Sequence, residues 1–155
     1  MKKYELTEET FTVFGKTLYR IRAVRDFGSV KTGEFGGYIE KEENLSHFGN
    51  AWVYGNAKVC GNAKVCGNAK VCGEAKVSNT RHFFVQGPIG SRNDFVTFYR
   101  TTNNTVGVRC GCFSGSLQKF VDRVEETHGG SRYEKEYKLA AELAKVCIRL
   151  EEEAE

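Results

Sequence analysis

A chain of 155 residues, 40% hydrophobic and 28% charged, can bury a core and is too apolar to be disordered. Its net charge of +3 is too small for a protein that wraps long nucleic acid. No apolar run approaches the roughly 18 residues that cross a membrane. The start, Met1-Lys2-Lys3-Tyr4-Glu5-Leu6, lacks the apolar stretch of a secretory signal, which predicts a cytoplasmic protein. In that compartment six cysteines point to free thiols, metal or redox chemistry before disulfides.

Residues 1–35 read as a β cap. Phe11 to Phe14, a turn at Gly15-Lys16, and the alternating run Thr17 to Val24 form a hairpin signal. Gly33-Glu34-Phe35-Gly36-Gly37 is then a tight entry into the next unit.

Residues 36–78 are dominated by repetition. Gly49-Asn50-Ala51-Trp52-Val53-Tyr54 is followed by Gly55-Asn56-Ala57-Lys58-Val59-Cys60, which recurs at Gly61 and Gly67; Gly73-Glu74-Ala75-Lys76-Val77-Ser78 closes the series. Ala and Val lie two apart and share one face of a strand, while the intervening Lys points the other way. Gly and Asn tolerate the sharp turn between units. Ile39 and Leu45 continue the spacing upstream, toward Gly36. Five such hexads predict a short parallel β-helix from Gly49 to Ser78, each coil stacking on its neighbours. The expected fold is therefore mixed: a short parallel β-helix, whose left-handedness is implied only by the resemblance given next, with a β-hairpin cap and followed by a small α+β module.

These Gly-Asn-Ala-Lys-Val units resemble the hexapeptide repeats of left-handed β-helix proteins, an acyltransferase superfamily among them. With Tyr19-Arg20-Ile21-Arg22-Ala23 and Gly36-Gly37 ahead of the repeats, residues 10–78 are similar to uncharacterised bacterial and phage proteins. The resemblance implies three hexads per coil and a homo-oligomer, trimer or dimer. It implies little about activity. Acyl transfer needs a histidine base and a long groove, and the repeats offer only His47 and a short array.

Residues 79–155 read as the α+β module. Three antiparallel strands are expected over 82–86, 94–100 and 106–113, with turns at Gly87 to Asn93 and Thr102 to Asn104. Ser114-Gly115-Ser116 signals a helix start, and Leu117, Phe120, Val121 and Val124 follow at helical spacing. After Gly129-Gly130, Ser131 and Glu134 form a capping box for a second helix, whose stripe runs through Tyr133, Tyr137, Ala140, Ala144 and Cys147. The acidic end, Glu151 to Glu155, is expected to fray.

For a metal, Cys60, Cys66 and Cys72 are spaced too widely for a usual zinc pair, whereas Cys110 and Cys112 share a strand face. Buried small hydrophobes are the simpler reading of that pair, and no metal or cofactor is expected. Ser91 and Ser114 sit in glycine turns, but nothing places His82 or His128 beside them as a base.

The stretch from Asn79 to Gly115 is the most informative. It carries Arg81, Arg92, Arg100 and Arg109 against one acid, Asp94, with aromatic residues interleaved. Arginine grips phosphate or carboxylate through a planar fork. The Gly87 to Asn93 turn and the helix start at Ser114 can add backbone N–H donors. The same features also admit a purely structural reading, as ordinary turns, caps and solvated arginines.

The expected function is non-enzymatic capture of a small phosphate-bearing ligand, a nucleotide signal in particular. Arg92, Arg100 and Arg109 would hold the anion, Ser91 and Ser114 would donate to it, and Tyr99 would stack. The resemblance to phage proteins adds sequestration of a host immune nucleotide as a role. The alternatives are an oligomerising interaction protein that binds a protein partner, and an enzyme acting on a nucleotide.

Overall fold

The computed structural model describes residues 1–13 and 15–150. Phe14 and the acidic end from Glu151 to Glu155, expected respectively in the hairpin and to fray, lie outside the described residues.

The chain opens with a long hairpin, β1 (Tyr4–Val13) and β2 (Lys16–Ala23), and returns as β3 (Phe35–Ile39). The hexads then contribute four strands of only two residues: β4 (Trp52–Val53), β5 (Lys58–Val59), β6 (Lys70–Val71) and β7 (Lys76–Val77). They are followed by β8 (Phe83–Ile89), β9 (Asp94–Arg100), β10 (Val106–Cys110) and β11 (Phe113–Ser116). Two helices end the fold, α1 (Leu117–His128) and α2 (Arg132–Cys147).

The continuous parallel β-helix expected from the repeats is not what the strands build. Hairpin and hexads share one mixed five-stranded sheet, in the order β1-β2-β3-β5-β7. β4 and β6 form a separate parallel pair, and the third hexad contributes only a bridge from Val65 to Leu45. The reason lies in the glycines. Gly49, Gly55, Gly61, Gly67 and Gly73 all have φ between 61° and 69°, so each hexad turns sharply before a strand can lengthen. Hexads pair with the third one along, Trp52 with Lys70 and Lys58 with Lys76.

The expected inward alternation is present within this different architecture. Ala51, Ala57, Ala63, Ala69 and Ala75, with Val53, Val59, Val65, Val71 and Val77, are all buried with Tyr4, Ile21, Ile39, Leu45 and Trp52 in one core.

The C-terminal sheet has four strands rather than three, in the order β11-β10-β9-β8. The run expected as one strand from Val106 to Phe113 is broken at Gly111, whose φ of +57° reverses the chain, so Ser114 pairs with Arg109. Cys110 and Cys112 therefore do not share a strand face: Cys110 ends β10 and Cys112 lies in the turn. One face of this sheet packs Val96, Phe98 and Val108 against Phe120, Tyr137 and Ala144 of the helices.

The other face docks on the hexads. Lys70 N donates to Thr97 Oγ1 at 3.0 Å, Arg100 Nε donates to Lys76 O at 3.1 Å, and Ala75 bridges Thr101. Tyr99 of β9 accordingly belongs to the hexad core. This docking seats β9 on the fourth and fifth hexads and brings Arg109 of β10 over the first.

Candidate functional site

The largest departure from perfect repetition lies in the first hexad, where Trp52 and Tyr54 replace the Lys and Cys of its sisters. Both side chains line a cavity of about 440 Å³ between the hexads and the C-terminal sheet, together with Lys70, Phe95, Thr97 and Arg109. Phe35 and the exposed amides Asn50 and Asn68 complete its rim. The cavity thus combines aromatic surface, amide groups and two cations with two acids, Glu34 and Asp94. Among the described residues neither Lys70 nor Arg109 makes an ion pair.

Arg109 reaches this site because β10 alternates. Its neighbours Val108 and Cys110 face the helices, which turns the guanidinium toward the hexads, 5.7 Å from the Tyr54 ring. Its Nε is buried without a hydrogen-bond partner, and so is the Tyr54 hydroxyl. The Cys72 thiol lies close enough to the Tyr54 hydroxyl to affect its titration, but not in hydrogen-bonding geometry. Burial, followed by this thiol, pushes the Tyr54 hydroxyl well above the ordinary tyrosine pKa. Two unsatisfied polar atoms on side chains that face each other in one cavity are a costly arrangement, about 1–3 kcal/mol each.

The other residues expected at the site are dispersed. Tyr99 is 3% exposed, so it is packed rather than presented; a Cβ at Gly107 would come within 2.5 Å of its ring. Its hydroxyl and Ser114 Oγ each lie 3.7 Å from Cys72 Sγ, which puts both just behind Arg109. Burial and the Cys72 thiol raise the Tyr99 pKa, so it stays a neutral hydroxyl.

Arg100 is 7% exposed and binds within the protein, donating to Lys76 O and to Ser78 Oγ at 3.3 Å. It borders a separate cleft of about 710 Å³ that also includes Lys16 and Cys60. Ser91 and Arg92 line a third cavity of about 250 Å³ with Cys112, Arg123 and His128. The structure therefore brings Arg109, Tyr99 and Ser114 together, leaves Ser91 and Arg92 around the corner of Gly111, and puts Arg100 elsewhere.

At both expected backbone anion sites one N–H already has a partner within the protein. β8 runs on to Ile89, so the turn shrinks to Gly90 to Asn93, and Gly90 N donates to Glu136 Oε1 at 2.7 Å. At the α1 start, Ser116 Oγ accepts from Lys119 N at 3.2 Å. The capping box at α2 is rearranged too. The Ser131 hydroxyl donates to His128 O, and Glu134 accepts from Gly130 N.

Sequence reasoning missed Trp52, Tyr54 and Lys70, the hexad wall of the cavity. The available signal was the broken repeat itself, since bulky aromatics displaced small or solvated residues at two positions.

Among the described residues no group of three or more His, Cys, Asp or Glu side chains is placed to hold a metal ion. All six cysteines are free thiols. No described helix is long and apolar enough to cross a membrane. Neither a protein-family model nor a curated protein matches this chain.

Proposed function

We propose that the protein captures a small, planar, phosphate-bearing ligand, a nucleotide by class, in the cavity walled by Trp52, Tyr54 and Arg109. The observation that carries this reading is the Arg109 guanidinium, held against Tyr54 with its Nε buried and with neither a hydrogen-bond partner for Nε nor an ion pair among the described residues. A phosphate supplies the missing acceptors, and the planar fork takes two oxygens at once. Lys70 adds a second cation, and Phe35 and Phe95 offer rings for a base. Asn50, Asn68 and Asp94 carry the donors and acceptors that read base edges. A cavity of about 440 Å³ suits one nucleotide-sized ligand.

Relative to the sequence expectation, Arg109 keeps its part in holding the anion, Lys70 takes the place of Arg92 and Arg100, and stacking passes from Tyr99 to the cavity rim. The role remains binding without turnover, in the cytoplasm; six unpaired thiols support that compartment. Sequestration of a host nucleotide signal is the biological role that the likeness to phage repeat proteins favours.

Trp52 is the only tryptophan and one edge of it lines this cavity while it packs on Phe27 and Tyr4 behind, so its fluorescence is a single probe of the cavity wall. Titration with AMP, GMP, CMP and UMP is expected to change that fluorescence saturably for at least one of them, and Arg109→Ala to abolish the change. No change with any mononucleotide or linked dinucleotide would defeat the proposal.

One observation favours a second reading, a protein partner. Leu139 and Val146 of α2 are each 70% exposed, and Leu143 lies between them on the same helix face.

A further inference from the structure

The third cavity is not independent of the first. Asp94 and Gly111 line both, so the two meet across the β10–β11 turn. At about 250 Å³ the third cavity is below the roughly 300–1,000 Å³ of self-sufficient ligand pockets, whereas its neighbour lies within that range. A small cavity that shares lining residues with a larger neighbour is better read as an extension of the same site.

We infer that the two cavities together take one ligand with two planar groups joined through phosphate, a linked dinucleotide. This rests on the nucleotide reading of the first cavity and adds the ligand class.

The chemistry on the two sides of the junction matches. Arg109 stands on one side and Arg92 on the other, and Arg92 makes no ion pair among the described residues. The junction itself is bare: a Cβ at Gly111 would meet only Arg92 Nη1, at 3.8 Å. A phosphate linker can therefore cross the Gly111 backbone between two guanidinium forks. Beyond it, Arg123 lies 5.7 Å from the Phe113 ring, and His128 stands beside Tyr137. Those groups offer the second planar ring an aromatic and cationic wall.

Joining two half-sites through one ligand makes the second contact intramolecular and raises affinity without new chemistry.

The test compares AMP, GMP, CMP and UMP with the linked pApA, pGpG, pCpC and pUpU by calorimetry. The best dinucleotide is expected to bind on the order of 100-fold more tightly than its own mononucleotide. Arg92→Ala should remove that gain and leave mononucleotide binding unchanged. Gly111→Asn should also remove the gain, because asparagine tolerates the left-handed φ of +57° and its side chain fills the junction; Gly111 lines the first cavity too, so the gain is read against that variant's own mononucleotide affinity. Arg109→Ala should abolish both. Equal affinity for the linked and single nucleotides would overturn the inference and leave the nucleotide reading standing. So would a dinucleotide preference that survives both Arg92→Ala and Gly111→Asn. Absence of binding by either class would overturn both readings together.

Discussion

The Lys70 backbone N–H and the Thr97 hydroxyl, 3.0 Å apart, form one of the bonds that seat the C-terminal sheet on the hexads. Thr97 is buried, so no water can replace its oxygen cheaply. Thr97→Val keeps the shape and strands the donor. The expected cost is about 1–3 kcal/mol, read as a lower urea midpoint, whereas Thr97→Ser should recover most of it. Equal stability of the valine and serine variants would mean that packing, not this bond, joins the two halves.

The hexads alternate strictly even though they do not make a regular coil. Val65 is fully buried while Lys64 beside it is exposed. Val65→Asp loses about 1.5–3 kcal/mol of apolar burial and also buries an unpaired carboxylate. Lys64→Asp should change stability by no more than about 0.5 kcal/mol. Denaturation of the two variants side by side measures the contrast.

Much of this was legible in the sequence and some was not, for physical reasons. The inward Ala and Val positions follow from a period of two residues, which is local information. Which hexad pairs with which is not local, and the hairpin's share in the same sheet through β3 and β5 has no sequence signature at all. The turn at Gly111-Cys112 escaped notice because Val106 to Phe113 otherwise reads as one apolar run. Clustering four arginines in sequence likewise says nothing about where each points. Arg100 finds its acceptors on Lys76 and Ser78, while Arg109 projects into a cavity whose other wall is the first hexad. That wall was hidden because Trp52 and Tyr54 looked like imperfect copies of a structural motif.

Lys3 supplies a pH dependence with a definite sign. Its side chain is fully buried, Nζ donating to Ala51 O at 2.6 Å and lying 4.7 Å from the Phe27 ring. Burial, with Arg25 nearby, lowers its pKa from 10.5 to about 8. Between those two values the unfolded chain holds a proton that the native protein has released, so this group's contribution to stability rises with pH across that window. The buried Cys60 and half-buried Cys110 thiols, held above their usual 9.0, act in the opposite sense once unfolded thiols ionise. Comparison with Lys3→Met isolates the lysine, because both proteins share the thiols. The stability difference, wild type minus variant, should grow as pH is raised through that window. A difference independent of pH would show that Lys3 stays charged in the native state.

The sharpest functional expectation sets binding against stability at Arg109. In the free protein its Nε is buried without a partner, so the side chain is a burden until a ligand arrives. Arg109→Met keeps the length that packs on Tyr54 and removes the unsatisfied donor. The free protein should therefore gain stability, by about 1 kcal/mol, while nucleotide-dependent stabilisation disappears. Wild-type protein at a hundred times the dissociation constant should be stabilised by about 2.7 kcal/mol. Arg109→Lys should recover only part of that, since it restores the charge without the two-pronged geometry. Binding should weaken with added salt, because Lys70 and Arg109 act on the ligand as charges. Melting curves of the three proteins, with and without the best nucleotide, provide the comparison. A methionine variant that melts lower than wild type without ligand would show that Arg109 is a structural residue, and a variant that still responds to nucleotide would place the phosphate elsewhere.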